Sequence, residues 1–120
     1  MSERGWGPAS SDKGHMTDLV LVLTTVADDD RAEPLARRLV EERLAACVNL
    51  LPPMVSCYRW KGSVERDVER LLVVKTARDR VDALQARLRE LHPYDLPEFV
   101  VLHADATNAA YLGWVKESVS

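Results

Sequence analysis

Cys47-Val48-Asn49-Leu50-Leu51-Pro52-Pro53-Met54-Val55-Ser56-Cys57-Tyr58-Arg59-Trp60-Lys61-Gly62-Ser63, continuing to the apolar run Leu71-Leu72-Val73-Val74, is the stretch that decides the fold. Its first five residues read as a strand. Pro52 and Pro53 interrupt it, because neither can donate to a sheet ladder. The strand resumes at Met54 and alternates to Trp60. Ser56, Tyr58 and Trp60 fall on one face, and Val55, Cys57 and Arg59 on the other. Lys61-Gly62-Ser63 is a turn, and residues 68–76 form the next strand. A tight link of this kind makes the two strands antiparallel. The hairpin is long, so it is expected to project beyond the core of one subunit and to need another surface to pack on.

Upstream, Leu19-Val20-Leu21-Val22-Leu23 is a continuous apolar run, as expected of a central strand buried on both faces. Asp28-Asp29-Asp30 then opens a helix. Asp30 with Glu33 fits a capping box, and Pro34 belongs in the first turn, since deeper in it would break the helix. Ala32, Leu35, Ala36, Leu39, Val40 and Leu44 share one face. Downstream, residues 79–91 repeat apolar positions at Val81, Leu84, Leu88 and Leu91, and Pro93 stops that helix. Residues 98–103 are a last strand. Thr107 and Asn108 are cap candidates for a terminal helix carrying Tyr111, Leu112 and Val115. The order is β-α-β-β-α-β plus one helix. This predicts an α+β, ferredoxin-like antiparallel sheet with both helices on one face and an extra C-terminal helix.

Composition bounds the rest. A chain of 120 residues is one domain in size, here placed at 18–120. A domain this short gains stability from oligomerisation. Residues 1–17, polar and glycine-rich without periodicity, read as a leader or tag outside the fold. Sixteen basic and nineteen acidic residues leave a formal charge of -3. That balance argues against nucleic acid or an anionic membrane as the partner. No apolar run approaches the ~20 residues of a membrane span, and the N-terminus lacks a signal-peptide core. Cys47 and Cys57 lack CxxC spacing, and reduced thiols in a cytoplasmic protein are the expectation. There is no GxSxG, HExxH or phosphate loop, so no enzymatic activity is expected.

Several blocks then point one way. Val40-Glu41-Glu42-Arg43-Leu44-Ala45-Ala46-Cys47-Val48-Asn49 resembles the most distinctive signature of the CutA family of divalent-cation tolerance proteins. Tyr58-Arg59-Trp60-Lys61-Gly62, Glu69 and Lys75-Thr76 are similar to its next block. Leu91-His92-Pro93-Tyr94 with Leu96-Pro97-Glu98, and Tyr111-Leu112-Gly113-Trp114-Val115, follow in family order. The resemblance implies a ferredoxin-like homotrimer whose strands join between subunits. It also implies a response to metal ions, copper or another divalent metal, with no organic cofactor, and some similarity to PII-type signalling trimers. Some family members carry a cysteine at the end of the first strand, where this chain has Thr25-Val26-Ala27. Pro53 and Arg59 also depart, standing where the family often has glycine and an aromatic residue.

The candidate metal ligands are Cys47, His92 and Glu98. A thiolate at Cys47 is a soft ligand suited to Cu(I) or Zn, although a cysteine opening a strand is also ordinary core packing. His92 before Pro93 is a ligand candidate beside Tyr94 and Glu98, or simply a cation favoured at a helix C-terminus. Lys75 ends an apolar strand and needs a partner if buried; Glu98 is the natural one. The topology puts those two at opposite ends of the sheet. They are therefore expected to meet only across a subunit boundary, in a pocket walled by Trp60 and Tyr94. The alternatives to metal response are a PII-like sensor with an intersubunit anion pocket, or a trimeric scaffold for a protein partner.

Overall fold

A computed structural model describes residues 9–10 and 16–120. In chain order the elements are β1 (Ala9–Ser10), β2 (Leu19–Ala27), α1 (Ala32–Glu41), β3 (Cys47–Leu50), β4 (Met54–Trp60), β5 (Ser63–Ala77), a 3-10 turn (Arg78–Arg80), α2 (Val81–Leu91), β6 (Val100–His103), β7 (Thr107–Asn108) and α3 (Ala109–Ser118). Most of the expected 1–17 leader lies outside the described residues. Within it, β1 pairs antiparallel with β7. Thr17 is buried, and its hydroxyl donates to the Ala104 carbonyl at 2.9 Å.

The main sheet runs β3-β5-β2-β6, antiparallel throughout, with β4 pairing β5 beyond β3. This is the ferredoxin-like order expected from the sequence. β5 is longer than the expected 68–76, because its first half is the return arm of the hairpin. Val20, Val22 and Val74 face α1 and α2, where they pack with Leu39, Leu84 and Leu88. Val26 and Leu72 continue that core against Ala32 and Ala36 of α1. The opposite face carries Leu21, Leu23, Leu71, Val73 and Lys75. α3 covers only one end of it, through Val115 and Val119 on Leu19 and Ala77. Among the described residues no element covers the rest of that face, and Val100 and Leu102 stand about half exposed on it.

Local chemistry sets the boundaries. Lys61 and Gly62 both have positive φ, 49° and 83°, the pattern of a two-residue type I′ hairpin turn. β2 ends opposite Glu69, so the arm from Ser63 to Val68 runs past it and is exposed, as expected of a projecting hairpin. The expected capping box at the start of α1 does not form. No side chain caps the helix; Asp29 instead accepts from the Arg31 backbone N–H at 2.9 Å and pairs with the Arg31 guanidinium. A residue that spends its carboxylate on an Asx-type turn before the helix removes the need for Asp30 at the cap. Val40, expected on the buried face of α1, is 40% exposed because the helix ends one residue later. The end is a Schellman motif: Leu44 N–H donates to Leu39 O, and Arg43 N–H to Val40 O, with Arg43 at φ 60°. At α3, Asn108 is the cap, accepting from Tyr111 N–H at 2.8 Å.

Candidate functional site

The uncovered sheet face forms the floor of a groove of about 1230 Å³. One wall is the hairpin with Tyr58, Trp60 and Asp67. The other is the loop from Pro93 to Val100 that follows α2. Leu23, Thr25 and Leu71 make the floor, so the strand alternation that sends Val22 and Leu72 into the core sends these residues into the groove.

A chain of hydrogen bonds crosses it. Pro93 forces His92 into an extended conformation at ψ 132°, which turns its ring from the helix back toward β2. His92 is buried, only 7% exposed, and Nε2 lies 2.8 Å from the Thr25 carbonyl. Since a carbonyl only accepts, Nε2 carries the proton; Nδ1 then accepts from the Tyr94 backbone N–H at 3.2 Å. Burial pushes the His92 pKa down, against the opposing pull of the Thr25 bond and the Glu69 charge. The tilted Tyr94 ring sits 4.8 Å from the His92 ring and donates its hydroxyl to Glu69 at 2.7 Å. Burial raises the Tyr94 pKa first, and the Glu69 bond and charge raise it further. Beside this chain, Tyr58 donates to Asp67 across the hairpin, a bond that raises the Tyr58 pKa to about 12.

The structure separates the residues proposed as metal ligands. Cys47 pairs with Lys75, which pairs with Leu21, whereas His92 binds Thr25, four residues further along β2. Four residues of strand are roughly 13 Å. Cys47 is half-buried at the strand's open face rather than core, with its thiol 3.9 Å from Asn49 Oδ1. His92 is not a solvated cation at a helix end. Both its nitrogens are engaged, leaving neither lone pair free. Among the described residues no three His, Cys, Asp or Glu side chains converge as a metal set. The described residues of a single chain therefore do not assemble a cage for copper.

Trp60, Tyr94 and Glu98 line one groove of the same chain. Lys75 lies outside it, apart from Glu98 as the topology requires, and neither makes an ion pair among the described residues. The residue that the candidate list lacks is Glu69. Its signal is in the sequence: it falls in phase with Leu71 and Val73, a carboxylate on an apolar repeat. Asp67 shares that phase.

The profile described as "CutA1 divalent ion tolerance protein" matches residues 20–118. The Divalent-cation tolerance protein CutA of Thermus thermophilus is 47% identical over 98 residues, covering 82% of this chain and 95% of that one. Its namesake in Pectobacterium atrosepticum is 40% identical over 104 residues, 87% of this chain and 94% of that one. The crystal structure of CutA from Xylella fastidiosa superposes with a TM-score of 0.83 at 41% identity, covering 87% of this chain and all of the other.

Proposed function

The chain belongs to the CutA1 divalent ion tolerance family, and from that premise we propose that it is a non-catalytic, cytoplasmic metal-response protein acting as a homotrimer. The observation that carries the assembly is the uncovered sheet face. Leu21, Leu23, Leu71 and Val73 form an apolar strip that no element among the described residues covers, beside a hairpin that overshoots β2. Surfaces of this kind mark interaction sites, and cyclic closure is the usual outcome for identical subunits. Metal ligation is then shared between protomers. Cys47 offers a soft sulfur and Glu98 a carboxylate, both at the surface of the fold, with copper or another divalent ion as the ligand. No helix among the described residues is long and apolar enough to cross a membrane.

The anion-sensor alternative draws little support from the groove. Its walls carry Asp67, Glu69, Asp95 and Glu98 against Arg59 alone. Light scattering together with calorimetric titration of the reduced protein with Cu(I), Cu(II) and Zn(II) tests the proposal. It expects about three times the 13.5 kDa chain mass and saturable binding of at least one metal, lost in Cys47→Ser. A monomer mass at micromolar concentration defeats the assembly, and no heat with any metal defeats the metal reading.

A further inference from the structure

We propose that the projecting hairpin of one subunit lies in the groove of the next, where its Arg66 supplies the cation that Glu69 lacks. The inference rests on the assembly proposed above and names the segment of the second copy that covers the open sheet face. The hairpin has two unlike faces. Asp67 and Glu69 point into the groove of their own chain, whereas Val64 and Arg66 fall out of phase with them and turn away. Val64 is 71% exposed, and Val55, on the same face of the partner strand, is 54% exposed. Neither valine lines the groove of its own chain, nor does Arg66. Arg66 is also exposed and makes no ion pair among the described residues. A two-stranded arm with bare valines is marginal in water and gains stability only from a surface to pack on.

The groove is the complement of that arm. Leu23 and Leu71 give it an apolar floor, and Asp67, Glu69, Asp95 and Glu98 outnumber its one arginine, Arg59, so its field attracts positive charge. Glu69 is the one buried carboxylate among the described residues, only 8% exposed. It accepts from the Tyr94 hydroxyl, and no lysine, arginine or histidine among the described residues pairs with it. A neutral hydroxyl satisfies a hydrogen bond but does not compensate a charge taken from water. A hairpin that brings valines to the leucine floor and a guanidinium to the carboxylate meets both needs at once. The donating face and the receiving groove are different surfaces of one chain, so the contact repeats head to tail until the ring closes.

The test is sedimentation equilibrium of the full-length protein, reduced and in EDTA, with circular dichroism as the check on folding. Val64→Asp places a charge where the single subunit is already exposed, so the chain should fold and yet sediment as a monomer. Arg66→Ala should weaken assembly at least about tenfold, and Glu69→Gln by a similar factor. The double variant should be no weaker than either single one, because the two changes remove the same ion pair. EDTA makes these results independent of metal. A parent that sediments as a monomer overturns the assembly itself, and this inference with it. A trimeric parent whose Val64→Asp or Arg66→Ala variant assembles with parental affinity overturns the hairpin contact alone. The pairing with Glu69 is overturned if a folded Glu69→Gln adds its full loss to that of Arg66→Ala.

Discussion

Tyr94 donates its hydroxyl to Glu69 at 2.7 Å, joining the loop after α2 to the middle of β5 across 25 residues of sequence. That bond fixes the second wall of the groove on the sheet. Its removal in Tyr94→Phe strands a buried carboxylate oxygen. We expect a loss of about 1–3 kcal/mol in urea unfolding at pH 7. An unchanged midpoint and slope would show that Glu69 finds its partner elsewhere.

His92 gives stability a defined pH dependence. Burial favours its neutral form, so its pKa in the folded chain lies below the unfolded value near 6.5. Between those two values the unfolded chain binds more protons than the folded one, and stability therefore rises with pH. His92 contributes fully above about pH 6.5 and loses its contribution as pH falls toward the folded value. His92→Gln should flatten that part of the profile between pH 5 and 7. Parallel profiles for variant and parent would assign the slope to other groups.

All three tyrosines of the chain are held above their ordinary value. Asp67 raises Tyr58 to about 12, burial and Glu69 raise Tyr94, and burial raises Tyr111. A spectrophotometric titration at 295 nm should show no normal phenolate step near pH 10 while the protein stays folded. Asp67→Asn should bring Tyr58 down most, lower Tyr94 slightly because the Asp67 charge also acts on it, and leave Tyr111 unchanged. One full step at the ordinary pH in the parent contradicts the geometry.

Thr24 is wholly buried on the helix face of β2, and its hydroxyl has no hydrogen-bond partner. Replacing it by the isosteric Val removes the unsatisfied group and keeps the volume. Thr24→Val should stabilise the fold by about 1 kcal/mol in denaturant unfolding. A loss instead would mean that the hydroxyl is satisfied by water.

Arg43 occupies the left-handed position that closes α1, where glycine pays no steric cost. Among the described residues its side chain makes one polar contact, a long, exposed bond to the Ser120 carbonyl at 3.5 Å. Arg43→Gly should raise the thermal midpoint, corresponding to about 0.5–1 kcal/mol. A lower midpoint would assign Arg43 a stabilising contact that outweighs its backbone strain.

What the sequence by itself determined is the order of elements and their local ends. Continuous β-rich apolar runs in β2 and β5, and apolar spacing of three to four in α1 and α2, read directly as strand and helix. Pro52-Pro53, Lys61-Gly62 and Pro93 place the interruptions, because each acts on the backbone within a residue or two. The capping box at Asp30 misled for the same reason: three adjacent aspartates compete for one helix start, and the spacing alone does not say which carboxylate turns back. Only the tertiary structure decided the site. His92 meets Thr25 across 67 residues, and Tyr94 meets Glu69, because the register of β2 on β5 brings Thr25 opposite Leu71 beneath the loop after α2. The register of β3 on β5 holds Cys47 four residues away, at Lys75. A shift of one residue would turn Glu69 to the helix face and Arg70 into the groove. Side-chain meeting across strands is set by that register, which no local pattern of residues specifies.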